Sequence, residues 1–179
     1  MKKICVILFS IFCVGTALAN NIAVVDLEYI MQNSVAFKRL NDSLEKEKKS
    51  YQEKIKQKEI ELTTKRDKLQ SQASLLSQES LQQKTIEFQK ELLSFQEEVK
   101  NKENELQKKL MDGLAVLNNE VKTIVNDIVK EDKYNKYTSV LSTSIMLYYR
   151  DDDNITTEVL KRLNKKNISL INIDNKKKK

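Results

Sequence analysis

The stretch YQEKIKQKEIELTTKRDKLQSQASLLSQESLQQKTIEFQKELLSF, residues 51–95, decides the architecture of this chain. It places Ile55, Leu62, Leu69 and Leu76 seven apart, then resumes at Leu81, Phe88, Leu92 and Phe95 in steps of seven, four and three. Those are the steps of an apolar seam on a helix that packs against another helix. The step of five from Leu76 to Leu81 fits neither three nor four, so the seam breaks there. In an antiparallel hairpin, facing residues have a constant index sum. A bend between Gln78 and Glu79 makes that sum 157 and pairs Leu76 with Leu81, Leu69 with Phe88, Leu62 with Phe95, Tyr51 with Leu106, Leu44 with Gly113 and Leu40 with Leu117. Ser77-Gln78-Glu79-Ser80 is then the turn. The alternative is one continuous helical rod; the pairing favours a helical hairpin over residues 36–131 with its tip near 77–80.

Outward from the tip, the pattern continues through Phe37 on one side and through Val99, Leu106, Leu110, Val121, Ile124 and Ile128 on the other. Gly113 is the one breaker in this span, and the chain has no proline. Ser34 is suited to cap the first arm. Before it, Ile22-Ala23-Val24-Val25 reads as a short buried strand and Asp26 as the cap of a short helix. After Lys133, Tyr137–Leu141 and Ile145–Tyr149 read as two strands, and Thr156–Asn164 as an amphipathic helix. The fold class is therefore α+β, mainly α: a long hairpin projecting from a small β body made of residues 20–35 and 132–165. Three short strands do not bury a core alone, so the body is expected to be shared between subunits. Val24, Val140, Leu141, Ile145 and Leu147 are the candidate interface residues. Residues 166–179 form a polar, lysine-rich tail.

Residues 1–19 read as a cleavable signal peptide: Lys2 and Lys3, an apolar run from Ile4 to Val14, and an Ala17-x-Ala19 end. Cleavage after Ala19 implies export. Both cysteines, Cys5 and Cys13, lie inside it, so the mature chain has no thiol chemistry. The chain has 32 Lys and Arg against 26 Asp and Glu. Set aside Lys2, Lys3 and Lys176–Lys179, and the 32 falls to 26, equal to the acids. The basic excess is therefore a property of the ends and not a field over the body, which argues against nucleic acid as a partner. The Lys176–Lys179 run offers a contact to an anionic membrane surface.

The same composition excludes several chemistries. With no His there is no Ser-His-Asp triad and no imidazole metal site. Two glycines do not build a phosphate-cradling loop. Asp151-Asp152-Asp153 lacks the spaced ligands, glycine and closing glutamate of a calcium loop and reads as a solvated turn. No catalytic residue, metal site or cofactor is expected.

Ile22-Ala23-Val24-Val25-Asp26, Ser34 before a charged hairpin, the two strand-like runs, and Asp153-Asn154-Ile155-Thr156 opening a Val159-Leu160-Lys161 helix together resemble the Skp/OmpH family of periplasmic chaperones. The resemblance implies a homotrimer whose small β-barrel body carries three hairpin tentacles. It also implies a cavity between them that holds unfolded outer-membrane β-barrel proteins without ATP. The familiar members are strongly basic along their tentacles. Here residues 61–90 carry five positive and four negative side chains, so contacts other than charge must do more of the binding. The apolar residues off the seam, Ile60, Leu75, Ile86, Leu93 and Met111, are the candidates for client binding. The competing reading is a secreted structural coiled coil, a spacer or adaptor of the cell envelope. Strand-like ends that need partners favour the chaperone.

Overall fold

A computed structural model describes residues 21–131 and 133–170. The expected signal peptide with Cys5 and Cys13, and the Lys176–Lys179 run, lie outside the described residues. The elements in order are strand β1 (Asn21–Val25), helix α1 (Leu27–Asn33), helix α2 (Val35–Gln72), helix α3 (Gln78–Ile128), strand β2 (Tyr137–Ser142) and helix α4 (Thr156–Lys165).

Local chemistry sets the element starts. The Asp26 carboxylate accepts the Tyr29 N–H at 2.8 Å, and the Ser34 hydroxyl accepts the Phe37 N–H at 3.1 Å. Each satisfies a donor that the first helical turn leaves free. Helices α2 and α3 form the hairpin. Its turn is Ala73–Ser77, a few residues before the expected bend. The reason is Ser77, whose hydroxyl accepts the Ser80 N–H at 3.3 Å and so starts α3 at Gln78.

The two strands pair in parallel, with Ile22 opposite Ser139 and Val25 opposite Ser142. Parallel pairing needs a crossover, and the whole hairpin is that crossover. Helix α2 has 38 residues and α3 has 51. The 13 extra residues of α3 add roughly 20 Å at 1.5 Å per residue. That exceeds the roughly 17 Å length of a five-residue strand. The returning arm thus runs past the end of β1 to its beginning, and β2 starts level with β1.

The core lies at this root. Ala23, Val25, Ile30, Ala36 and Leu40 pack with Leu117, Val121, Ile124 and Ile128 of α3 and with Ile155, Val159 and Leu163. Gly113 abuts Leu40, and a Cβ there would run into the Leu40 Cδ2. The glycine is thus set by close approach, with Leu40 in the place expected for Leu44. Helix α4 ties the root from three directions. Thr156 Oγ1 accepts the Asp26 N–H at 2.8 Å, Asn164 Oδ1 accepts the Val35 N–H at 2.9 Å, and Arg162 donates to Glu131 and Glu158.

Two expectations about the body are corrected. Ile145–Tyr149 is not a strand. Thr143–Ile145 is a 3-10 turn, and the residues after it have no ladder. The free edge of β1 is already occupied, because Val24 bridges Asn154 and its carbonyl accepts the Ile155 N–H at 3.0 Å. Val24 itself is 1% exposed within one chain, so its burial needs no second subunit. The helices, not a third strand, cover the sheet.

Candidate functional site

Most seam residues on both arms are half-buried, Leu62 is buried outright, and Leu92 is 36% exposed. The arms are further joined by two ion clusters. In the one nearer the root, Glu47 of α2 accepts from Lys102 at 2.6 Å and Lys109 at 2.9 Å, while Glu105 pairs with the same two lysines at 3.0 and 2.7 Å. In the one nearer the tip, Glu91 of α3 accepts from Lys58 and Lys65, both at 2.8 Å, while Glu61 pairs with them at 3.1 and 3.2 Å. Each is a closed ring of two lysines and two glutamates. The spacing Lys-x-x-Glu-x-x-x-Lys recurs at 58/61/65 and 102/105/109 with the helices exchanged. A local twofold axis across the hairpin therefore relates the rings, and both lie on one side of it.

These contacts hold the glutamates below the usual carboxylate range. The Lys102 hydrogen bond does so at Glu47, Lys58 at Glu61 and Glu91, and Lys109 at Glu105. The four lysines are raised in turn, Lys58 and Lys65 by Glu91, Lys102 by Glu47 and Lys109 by Glu105. A carboxylate with a depressed folded value stabilises above its unfolded value of about 4.3 and loses that contribution as pH falls. A raised lysine stabilises below about 10.4 and loses it as pH rises through the folded value. The hairpin should therefore be most stable between about pH 5 and 10. Circular dichroism melts should show Tm falling from pH 5 to pH 3. The fall should be smaller in the Glu47→Gln, Glu91→Gln double variant. An equal fall in both would show that the rings do not contribute.

The opposite side of the hairpin is open. Ile55, Leu62, Phe88, Leu92, Phe95 and Val99 floor a groove of about 780 Å³, with Glu59, Thr63, Arg66 and Gln96 along its rim. Seam spacing alone did not point to it; both inter-arm ion rings lie on the other side, while Arg66 on the rim pairs with its neighbour Asp67 at 2.9 Å.

The five candidate client-binding residues are all exposed: Ile60 68%, Leu75 84%, Ile86 45%, Leu93 64% and Met111 59%. Leu75 is in the turn, Ile60 is on α2, and Ile86, Leu93 and Met111 are on α3, so they are spread along the hairpin. Of the candidate interface residues, Val24 is internal, Val140 and Leu141 are half-buried, and Ile145 and Leu147 stand 68% and 107% exposed. The Asp153 carboxylate is engaged by Arg150 at 3.0 Å and by the Tyr137 hydroxyl at 3.3 Å. Among the described residues no group of acidic, Cys or His side chains is arranged to hold a metal ion, and no helix is long and apolar enough to cross a membrane.

The sequence model of a family described as outer membrane protein (OmpH-like) matches residues 21–163. That span includes both strands, the hairpin and most of α4. No curated protein matches. A crystal structure from Caulobacter crescentus CB15, described as a candidate OmpH-like outer membrane chaperone, superposes with a TM-score of 0.73. The match covers 87% of this chain and 92% of that one at 13% identity, so the likeness is one of fold.

Proposed function

The chain belongs to the OmpH-like outer membrane protein family, and on that premise we propose that it is a periplasmic chaperone of outer-membrane proteins. It acts as an ATP-independent holdase. Residues 1–19 are removed on export, residues 20–35 and 132–165 contribute the body of a homotrimer, and the hairpins of residues 36–131 surround an unfolded outer-membrane β-barrel protein. The role is binding and not catalysis, and it uses no cofactor. The Lys176–Lys179 run adds attraction to anionic lipid near the target membrane.

The observation that carries this reading is the set of exposed apolar side chains, Ile60, Leu75, Ile86, Leu93 and Met111, spread along arms rich in charge. A holdase without fuel must let go of its client, so its contacts must be weak and many. Each such side chain contributes on the order of 1 kcal/mol, a part of the roughly 1.5–3 kcal/mol that full burial brings. Several in one cavity hold a client by their sum. For assembly, the support is the exposure of Ile145 and Leu147 beside β2, whose second edge carries no strand among the described residues.

The test is suppression of aggregation of an unfolded outer-membrane β-barrel protein on dilution from urea, with no nucleotide present. Protection is expected near one trimer per client, and only modestly weaker at physiological salt than at low salt. The nearly balanced charge of residues 61–90 leaves little net field to screen. No protection at any ratio would overturn the holdase reading. A steep loss with salt would overturn the apolar basis for it.

A further inference from the structure

We propose that residues 164–170, at the end of helix α4 and just after it, are a strap that holds the hairpin at a fixed angle to the body. The family model stops at residue 163, so this segment lies beyond the part that the OmpH-like match covers. The strap itself does not depend on the chaperone reading. Its consequence, a limit on how far the arms open around a client, rests on that reading.

The segment runs outward along the hairpin and ties into both arms. Asn164 Oδ1 accepts the Val35 N–H at 2.9 Å, at the start of α2. Lys166 Nζ then pairs with the Glu120 carboxylate of α3 at 3.1 Å. Asn167 Oδ1 accepts from Arg39 Nη1 at 3.2 Å. From Val35 to Arg39 is roughly 6 Å along α2, toward the tip. Ile168 is half-buried against the core, and Leu170 is 3% exposed within it. The polar contacts lie at the surface, where an ion pair contributes little. The anchor is the buried leucine.

The strap reaches the level at which the core gives out. Outward from Leu40 and Gly113, Leu62 is the one buried side chain among the described residues of the arms. Gly113 lies inside α3, where a glycine holds the helical backbone less firmly than other residues except proline. Beyond that level, the ring of Glu47, Lys102, Glu105 and Lys109 ties the arms to each other and not to the body. The hairpin is thus a braced unit on a softer base. Lys109 and Glu120 are about three turns apart on α3, so they fall on one side of it, and the strap crosses the base on that side. Bending the hairpin away from this side draws Leu170 out of the core and parts Lys166 from Glu120. Bending it the other way presses the arms onto the strap. Both motions are resisted while the segment is in place.

Spin-label distances test this with no client present. Both cysteines lie in residues 1–19. In the mature chain from Asn20, Gln57→Cys on the hairpin and Thr157→Cys on α4, both at exposed positions, are therefore the label sites. The labelled chain is diluted into excess unlabelled chain, so that one distance is read per assembly. The unaltered mature chain is compared with a chain ending at Asn175, with Leu170→Asp, and with a chain ending at Lys165. The chain ending at Asn175 lacks the Lys176–Lys179 run but keeps the strap, and its distance distribution should be unchanged. Leu170→Asp and the chain ending at Lys165 should each broaden the distribution about twofold or more with helix content kept, because a released segment no longer restrains its neighbours. Equal widths in all four would overturn the strap. Loss of helix content in both released variants would overturn it as well, by making residues 166–170 part of the minimal fold. Broadening in the chain ending at Asn175 would move the restraint to the lysines and also sink the proposal. Failure of the unaltered chain to suppress client aggregation would bring down the chaperone reading and leave the strap standing.

Discussion

Ile145→Asp with Leu147→Asp should leave a folded chain that no longer self-associates, whereas Val24→Asp should leave no cooperatively folded body at all. The two changes insert the same charge a short distance apart, and the difference lies in what the single chain already buries. Leu147 is fully exposed and Ile145 largely so. An aspartate at either site stays hydrated in the monomer and costs it little. In a trimer that covers them, two carboxylates per subunit must lose water without a partner, at several kcal/mol each. Val24 is different. It sits between the β2 ladder and the Asn154 bridge at 1% exposure, so a carboxylate there is buried whether or not subunits meet. A penalty of several kcal/mol is a large part of the roughly 5–15 kcal/mol that holds a domain together. Sedimentation velocity and thermal melts of both variants decide the matter. A trimer surviving the double change would exclude these residues from the interface, and a normal melt for Val24→Asp would contradict the packing described.

Aspartates at Ile60, Leu75, Ile86 and Leu93 together should raise the amount of protein needed to suppress client aggregation by about tenfold or more. Four lost contacts of on the order of 1 kcal/mol, even if half of the effect is not additive, exceed the 1.4 kcal/mol that corresponds to a factor of ten. Helix content and oligomeric state should be unchanged, because none of the four is buried. Unaltered protection would mean that clients are held elsewhere. A loss accompanied by a lower Tm would mean that Ile86, the least exposed of the four, supports the hairpin and not the client.

The caps at Asp26 and Ser34, helix α4 and the hairpin itself were legible because each depends on neighbours a few residues away. Hairpin register was not. Apolar matching favoured an index sum of 157, yet Leu40 meets Gly113, and Glu47 and Glu91 each lie between two lysines of the facing arm, which centres the sum near 153. The two differ by about one helical turn. A seam in steps of three and four tolerates such a slide with apolar residues still facing, so the charges break the tie, and apolar matching leaves them out of account. The strand expected at Ile145–Tyr149 failed for a related reason. β-branched and aromatic residues favour a pleated surface, but the chain turns through a 3-10 turn at Thr143–Ile145 and does not return along β2, while residues 154–155 take the edge of β1. The candidate client residues were found by exclusion from the seam. The groove over Ile55, Leu62, Phe88, Leu92, Phe95 and Val99 depends on the register of the two arms, which apolar spacing left open.

The arithmetic that makes β1 and β2 parallel has an evolutionary reading. The body fixes the difference in length between the arms, 51 residues against 38, because α3 must overshoot β1 for the strands to start level. It places no constraint on their common length. Adding one heptad to each arm moves the tip about 10 Å outward, keeps the seam in phase and leaves every root contact as it was. Adding a heptad to one arm alone puts the two seams out of register or shifts the start of β2. Reach is therefore adjustable in paired steps, while the offset between the arms is held by the body.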